Sequence, residues 1–197
     1  MAKIVAFIHL TLDGVMQAPA RPDEDLRGGF EGGGWAKPYG DGVMGQAIGE
    51  SMANTGALLL GRRTYEDFHN VWPQRKNNPF TAILDDTLKY VASRTLKEPL
   101  PWKNSRLLPG DAEASVAALR QEPGKDIVIL GSGVLVQSLL RRNLVDELML
   151  TINPLVLGRG QRLFADGGAP ATLRLVDSRV TTKGVLMTRY ASASPDN

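Results

Sequence analysis

The chain of 197 residues contains no cysteine and only two histidines, His9 and His69. Without cysteine there is no disulfide, no thiolate nucleophile and no cysteine-ligated metal. Two histidines give little support for a zinc site or for a hydrolase that uses histidine as its base. We therefore predict no bound metal, and we interpret His9 as a core or pocket-wall side chain rather than as a catalyst.

The sequence also lacks a long apolar run and a large excess of charge of either sign. Its apolar start, residues 4–10, is too short to cross a membrane and lacks the small-residue pattern of a signal-peptide cleavage site. The 23 basic and 21 acidic residues leave a formal net charge of +2, and no block of lysine and arginine marks a nucleic-acid-binding face. We expect a cytoplasmic protein that binds neither nucleic acid nor membranes.

Short apolar strands alternate with helices along most of the chain. The 43% hydrophobic content suits one globular domain, which we expect at residues 1–191, followed by a tail at residues 192–197. The alternation implies an α/β fold whose sheet is parallel in its centre and antiparallel at its C-terminal edge. Periodicity and breakers predict strands at residues 3–10, 57–60, 90–93, 106–108, 127–130, 147–152, 173–181 and 184–190, and helices at residues 43–54, 64–71, 112–121 and 134–142.

Residues 19–42 interrupt this pattern, because they are rich in glycine and proline. A long loop inside a compact domain is typically a functional lid or a mobile segment. Trp35 lies in this loop. We interpret Trp35 and Trp72 as packing residues, although Trp35 could instead cover a ligand.

Three turns, each at the end of a predicted strand, could hold an anion. The last of them is Gly131-Ser132-Gly133, which opens a helix. Glycines let the backbone approach an anion closely, and the free N–H groups and dipole of a helix start attract negative charge. This turn is not a Rossmann fingerprint, which would need a glycine in place of Val136. It is not a serine-hydrolase elbow either, because both histidines precede Ser132.

The first of the three turns is Gly61-Arg62-Arg63-Thr64, again between a strand and a helix. Arginine at a helix start is mildly unfavourable, because the dipole repels it. An anion held jointly by an arginine and the helix end would remove this conflict. A pair of solvated arginines is the alternative.

The middle turn, residues 93–95, places Arg94 between two hydroxyls. This group suits a terminal phosphate, unless Ser93 and Thr95 simply cap their own backbone. Open α/β sheets bind ligands at the carboxyl ends of their strands, where all three turns are expected. One extended ligand with several phosphates could contact all three, which indicates a phosphorylated cofactor.

The three turns belong to an ordered set of short segments: TLDG at 11–14, LGRRTYE at 60–66, WP at 72–73, SRT at 93–95, GSG at 131–133, LVDEL at 144–148 and PLVLG at 154–158. In this order, the segments resemble the dihydrofolate reductase fold and, more closely, the C-terminal reductase domain of the bifunctional riboflavin-biosynthesis deaminase-reductase. The resemblance extends to about Tyr190 and implies a three-layer α/β/α domain with a mixed, mostly parallel sheet. No cysteine is available for the deaminase zinc site, so the chain resembles a stand-alone member.

The resemblance implies an NADPH-dependent reductase that acts on a small molecule as a homodimer. Hydride would pass to a carbon–nitrogen double bond or its ring-opened sugar equivalent, as in 5-amino-6-(5-phosphoribosylamino)uracil reductase. Dihydrofolate reductase activity and a non-catalytic nucleotide-binding module are the alternatives. By position, the adenosine 2′-phosphate would face Arg62, Arg63, Ser93 and Arg94, the pyrophosphate would lie on Gly131, Ser132 and Gly133, and Gly61 and Thr64 complete the cofactor-binding set.

Asp13 is the candidate catalytic residue, because the resemblance places it beside the nicotinamide pocket. Its carboxylate could orient a substrate amine or relay a proton, although an Asp-Gly turn is common for structural reasons alone. Asp41 stands roughly where dihydrofolate reductases place their pterin-binding acid, but we favour a helix N-cap. Arg159, Gln161 and Arg162 could bind a substrate phosphate or simply be solvated.

Overall fold

The computed structural model describes residues 1–164, 168 and 170–193, so most of the predicted tail lies outside the described residues. The strands are β1 (Ile4–Thr11), β2 (Thr55–Gly61), β3 (Leu88–Ala92), β4 (Ser105–Leu107), β5 (Asp126–Leu130), β6 (Glu147–Asn153), β7 (Leu173–Val180) and β8 (Leu186–Ser192). The α-helices are α1 (Gly42–Met52), α2 (Arg62–Val71), α3 (Pro79–Asp86), α4 (Ala112–Gln121) and α5 (Gly133–Arg141), and short 3₁₀ turns occur at Arg27–Gly29 and Lys37–Tyr39.

These strands form one sheet in the order β4-β3-β2-β5-β1-β6-β8-β7. Strands β1 to β6 pair in parallel, whereas β8 runs antiparallel to β6 and β7 antiparallel to β8. This confirms the predicted mixed sheet with an antiparallel C-terminal edge. Because the central strands are parallel, their carboxyl ends and the turns that follow them meet at one edge of the sheet.

The central strands differ in length, and we call the space that this leaves beside the last residues of β1 the crevice. The pairing of β1 with β5 ends at Phe7 and Leu130, whereas the pairing of β1 with β6 continues to Thr11 and Asn153. The last four residues of β1 therefore have no strand on their β5 side. The chain builds β2, β3 and β4 before it returns to insert β5 beside β1, so the strand order reverses here. Such switch points are the usual ligand sites of open α/β sheets.

Two layers of helices cover the sheet and alternate β1 residues point to each layer. On one face α4 and α5 bury Val116 and Val136 against the sheet, and we call this the α4/α5 face. On the other face α1, α2 and α3 cover the sheet, with Tyr65 and Leu84 buried beneath them, and we call this the α1–α3 face. The predicted three-layer arrangement is confirmed.

Helix α3 is an element that the periodicity did not predict. Asn78 accepts a hydrogen bond from the Phe80 amide at 2.9 Å, and Pro79 occupies the first turn, where it needs no N–H partner. This cap signal is visible in the sequence. The helix was missed because it is only eight residues long and follows a run of polar turn residues.

The glycine-rich segment contributes to a small separate core together with the loop after β1. Val15, Ala18, Phe30 and Trp35 are buried together, and Leu155 and Leu157 pack against them. The Trp35 indole N–H donates to the Gln17 carbonyl at 2.7 Å. The packing role of Trp35 is thereby confirmed.

The described part of the chain contains no helix that is both long enough and apolar enough to span a membrane.

Candidate cofactor and substrate site

The first and third predicted anion turns lie side by side, because β2 and β5 are neighbours in the sheet. The Ser132 hydroxyl accepts a hydrogen bond from the Gly61 amide at 3.0 Å and donates to the Leu130 carbonyl at 3.2 Å. A Cβ atom on Gly131 would lie 3.6 Å from the Thr64 side chain. The two turns therefore form one continuous backbone surface.

The helices that follow these two turns begin differently from the other α-helices. Helices α1, α3 and α4 have side-chain caps from Asp41, Asn78 and Asp111, which satisfy amides of their first turns. Within the described residues, no side chain caps α2 or α5. Their first N–H groups and the positive ends of their dipoles are thus available to an anion.

The α5 turn holds its backbone in an unusual conformation. Gly131 and Ser132 both have left-handed dihedral angles, with φ of 57° and 53°. Glycine adopts this region freely, whereas a side-chain-bearing residue gives up about 1–2 kcal/mol there. The two hydrogen bonds of the Ser132 hydroxyl hold the strained residue in place. Stored strain of this kind is concentrated at ligand sites.

Gly133 makes a contact that the sequence did not reveal. The thioether of Met16 packs directly on it, and a Cβ at residue 133 would lie 2.0 Å from the Met16 sulfur. The loop after β1 thus touches the start of α5. This contact brings the expected cofactor turn and the crevice beside β1 into one site.

The predicted arginines lie at the same edge of the sheet but differ in their surroundings. Arg62 reaches the Glu66 carboxylate at 3.3 Å and remains half-exposed. Arg63 and Arg94 are exposed, and neither has an ion-pair partner in the described part of the chain. Gly61 at the end of β2 pairs with Ala92 at the end of β3. Arg62 and Ser93 are the residues that directly follow this pair. The structure therefore brings two of the arginine-bearing segments together.

Ser93 uses its hydroxyl to close its own turn. The hydroxyl accepts hydrogen bonds from the amides of Thr95 and Leu96 at 3.1 and 3.0 Å. This is the capping role that was weighed against phosphate binding. It holds the backbone so that Arg94 extends outward from the turn.

Asp13 lies two residues beyond the end of β1, and its carboxylate is already occupied within the described structure. It accepts hydrogen bonds from the Thr11 hydroxyl at 2.6 Å and from the amides of Leu157 and Gly158 at 3.2 and 2.8 Å. These donors, with the Thr11 hydroxyl the largest influence, hold the pKa of Asp13 well below its usual range. Arg162 adds a bond to the Asp13 carbonyl at 2.8 Å. The ionised carboxylate of Asp13 therefore fixes the 155–162 loop to the end of β1, and we call this set of contacts the clamp.

The other candidate substrate residues also make structural contacts. Arg159 donates to the Gly29 carbonyl, and the amide of Gln161 donates to the Gln17 side chain at 2.9 Å. Asp41 caps α1 through the Met44 amide, at 2.8 Å, and its second oxygen accepts the Thr182 hydroxyl at 2.6 Å. The N-cap role favoured for Asp41 is confirmed.

The wall of the crevice contains a polar pair whose importance the sequence did not reveal. His9 and Thr151 are cross-strand partners on β1 and β6, and the His9 Nδ1 atom lies 2.6 Å from the Thr151 hydroxyl. The only sequence signal was a histidine and a threonine within otherwise apolar strands. Their pairing depends on the register of two strands that lie about 140 residues apart in the chain.

Comparison with known proteins gives this edge of the sheet a family context. A family model for the RibD C-terminal domain matches residues 2–187. The chain belongs to the RibD C-terminal domain family. This confirms the resemblance that the ordered segments indicated. A relative of this chain, the uncharacterized protein YyaP of Bacillus subtilis, is 30% identical over 140 residues, which is 68% of this chain and 72% of YyaP.

Solved structures confirm the fold expected of a RibD C-terminal domain. A putative riboflavin biosynthesis protein from Shewanella sp. PV-4 is 24% identical with a TM-score of 0.74, and the match covers 98% of this chain and all of that one. Dihydrofolate reductase from Enterococcus faecalis, solved in complex with NADP(H), is 14% identical with a TM-score of 0.61 and coverage of 98% and 97%. The fold is that of dihydrofolate reductase.

Proposed function

We propose that this protein is an NADPH-dependent reductase of the riboflavin-reductase type. The observation that carries the proposal is the pair of neighbouring α-helices, α2 and α5, that begin without a side-chain cap and are joined by the Ser132–Gly61 hydrogen bond. Three arginines flank this surface at the edge of the sheet. Family membership supports the same cofactor class.

The residues present fit a dinucleotide that carries three phosphates. The pyrophosphate would lie on the amides at the starts of α2 and α5, where fixed N–H groups and dipoles stabilise negative charge. Arg62, Arg63 and Arg94 would hold the 2′-phosphate through charge-assisted hydrogen bonds, which distinguishes NADPH from NADH. Arg63 and Arg94 are suited to this role because no described carboxylate pairs with them.

When bound, NADPH supplies the hydride, so the protein itself has to bind, orient and exclude water. The crevice beside the last residues of β1 adjoins the α5 turn and is the place for the reacting ring and a small heterocyclic or sugar-amine substrate. The 155–162 loop, clamped by Asp13, and the glycine-rich segment enclose this crevice. Through that clamp Asp13 holds the geometry on which substrate orientation depends.

The dihydrofolate alternative has less support in the site. It required Asp41 to reach a pterin, but both carboxylate oxygens of Asp41 are engaged by Met44 and Thr182. The non-catalytic alternative differs from the reductase proposal only in its lack of substrate-dependent NADPH oxidation. The experiment is to mix the protein with NADPH and 5-amino-6-(5-phosphoribosylamino)uracil and to follow NADPH absorbance. Substrate-dependent oxidation supports the reductase, and binding of NADPH without oxidation by this or any other candidate substrate supports the nucleotide-binding module.

We also propose a homodimer, as the family resemblance implies. β7 is the outer strand of the sheet, and Val176 and Val180 are among its exposed apolar side chains. An unpaired edge strand with exposed apolar side chains is a template for pairing with another chain. Antiparallel pairing of two β7 strands about Ser178 would place Asp177 of one copy opposite Arg179 of the other. A cytoplasmic location and the absence of nucleic-acid and membrane partners stay predictions.

A further inference from the structure

The α1–α3 face of the sheet changes from apolar to polar along β1 and β6. Near the middle of the strands this face is apolar, with Phe7 on β1 and Met149 on β6 in the buried cluster. The next residues on the same face are His9 and Thr151, which are paired with each other, and the last pair is Thr11 with Asn153. Two consecutive polar cross-strand pairs therefore lie at the carboxyl ends of the two central strands.

The His9–Thr151 contact determines which ring nitrogen of the imidazole carries the proton. The His9 Nδ1 atom and the Thr151 hydroxyl are 2.6 Å apart. Threonine has a single O–H donor, and no other acceptor for it is found among the described residues. The arrangement that satisfies both groups has the hydroxyl donate to Nδ1. The proton of the neutral ring is then on Nε2, which has no hydrogen-bond partner in the described part of the chain.

The polar pairs are not fully satisfied by the fold itself. The Asn153 amide nitrogen donates to the carbonyls of Leu10 and Thr151, both at 3.1 Å, but its oxygen is buried without a partner in the described structure. This oxygen is enclosed by the fold, as are the side chains of Thr11 and Thr151. Among the four polar residues of the two pairs, the partly exposed His9 is therefore the one that a ligand can contact.

The position of His9 connects this pair to the proposed reaction. β5 ends opposite Phe7, so His9 stands on the part of β1 that has no strand on that side. Beyond the end of β5 lies the Gly131–Gly133 turn, and Met16 links that turn to the loop after β1. His9 is partly exposed, so its imidazole is not closed off from a ligand by the described part of the chain.

We propose that His9 is a substrate-contact residue whose Nε2–H, fixed by Thr151, donates a hydrogen bond to an uncharged acceptor on the substrate ring, such as a ring carbonyl or ring nitrogen. Thr151 is the positioning residue of this pair. The inference rests on the proposed reductase function and assigns the recognition of the reducible heterocycle to β1 and β6.

The charge state of His9 agrees with an uncharged acceptor. Burial lowers the pKa of His9 to about 4, so the imidazole is neutral at physiological pH. The ring packs edge-on against Phe7, with centroids 5.2 Å apart, which keeps one side of it apolar. A neutral donor next to an aromatic ring suits a planar heterocycle and provides no charge to hold a phosphate.

Steady-state kinetics with NADPH and 5-amino-6-(5-phosphoribosylamino)uracil test the contact directly. His9→Phe keeps the ring shape but removes the donor, whereas His9→Gln keeps an N–H at a similar distance from the backbone. We expect KM to rise about tenfold in His9→Phe and less than threefold in His9→Gln, with the NADPH Kd within twofold of wild type in both. Thr151→Val should raise KM about threefold to fivefold with little change in kcat. An unchanged KM in a folded, active His9→Phe protein would overturn the proposal.

A second measurement does not depend on turnover. In His69→Gln protein His9 is the only histidine, so its ¹⁵N signals are unambiguous. In the NADP⁺-bound protein we expect a neutral Nε2–H tautomer whose Nε2 signal shifts on addition of 5-amino-6-(5-phosphoribosylamino)uracil but not of ribose 5-phosphate, which lacks the ring. No shift with the uracil compound, or an Nδ1–H tautomer, would overturn the inference about His9. Failure of wild type to bind or oxidise NADPH would instead reject the reductase function.

Discussion

The Ser132 hydroxyl and the Gly61 amide, 3.0 Å apart, join the start of α5 to the start of α2. The two residues lie 71 positions apart in the sequence and become neighbours only because β5 inserts beside β2. The bond holds two uncapped helix ends at a fixed separation, which is what a pyrophosphate spanning both requires. It also supports Ser132 in its left-handed conformation.

Replacing Ser132 by alanine should therefore weaken cofactor binding more than it weakens the fold. The Gly61 amide loses its acceptor, and a net hydrogen bond contributes about 0.5–1.5 kcal/mol, so we expect the NADPH Kd to rise about threefold to tenfold. Titration of NADPH fluorescence measures it. Ser115→Ala is the matched control, because it removes a hydrogen bond to the Pro109 carbonyl far from the turns. Equal cofactor affinities in both variants would contradict the role assigned to Ser132.

The Asp13→Asn variant distinguishes a structural role of the Asp13 carboxylate from a role in proton transfer. The amides of Leu157 and Gly158 bond different oxygens of the carboxylate, so the asparagine NH2 would face one of the two and the 155–162 loop should loosen. We expect a lower melting temperature together with a higher substrate KM. A variant with an unchanged melting temperature and KM but a greatly reduced kcat would show that Asp13 acts in proton transfer instead.

The same carboxylate gives a testable pH dependence. Its pKa is lowered in the folded state, so its contribution to stability is present above the pKa of the unfolded chain, near 4, and is lost as pH falls below that value. Wild type should therefore lose more stability than Asp13→Asn between about pH 4 and pH 2. Parallel losses measured by thermal unfolding would contradict the clamp.

Lys89, a buried residue of β3, extends its ammonium to the end of α3. Its ammonium donates to the carbonyls of Leu84 and Thr87 at 2.7 Å and lies 4.6 Å from the centre of the Trp102 ring. Lys89→Met leaves these carbonyls without a donor, so we expect a loss of about 2–3 kcal/mol in urea unfolding at pH 7. The exposed Lys103→Met should lose much less, and similar losses in both variants would contradict this account.

The sign of the pH effect at Lys89 follows from burial, which lowers its pKa to about 8. Between pH 8 and about 10.5 the unfolded chain binds this proton and the folded protein does not, so the residue adds stability as pH rises through that range. The stability difference between wild type and Lys89→Met should therefore grow from pH 8 to pH 10. A constant difference would show that the charge is better solvated than its burial indicates.

The proposed homodimer makes a charge-swap prediction at β7. Asp177→Arg would place two arginines opposite each other in the pairing about Ser178, and like charges directly opposite destabilise a strand pair. We expect the dimer to dissociate at lower concentration in analytical ultracentrifugation, and Asp177→Arg/Arg179→Asp to restore it. A monomeric wild type, or a double variant as weak as the single one, would reject this interface.

The sequence was sufficient to predict the sheet and the turns at the ends of its strands. Apolar runs such as β5 and β6 identify buried strands, and the strand–helix alternation places the turns at one edge because parallel strands end together. Local signals also identified Asp111 as the cap of α4, which the structure confirms at 2.9 Å. Local signals were sufficient for most elements, although they did not identify the short helix α3.

What the sequence did not reveal depends on long-range register and contacts. The Met16–Gly133 packing, the pairing of His9 with Thr151 and the use of the Asp13 carboxylate by the 155–162 loop all join distant segments. Asp13 shows the consequence: its position just after the first strand was predictable, whereas the donors that engage it were not. Roles of side chains at such sites follow from partners that only the folded chain brings together.

The most direct test of the account is the titration of wild type and Arg62→Ala/Arg94→Ala with NADPH and with NADH. A charge-assisted contact to the 2′-phosphate contributes roughly 1.5–3 kcal/mol, so wild type should prefer NADPH by about 10-fold to 150-fold. The double variant should lose this preference while its NADH affinity stays the same, and Arg141→Ala, at the far end of α5, should retain the preference. Equal affinity of wild type for both cofactors, or binding of neither, would contradict the proposed NADPH site.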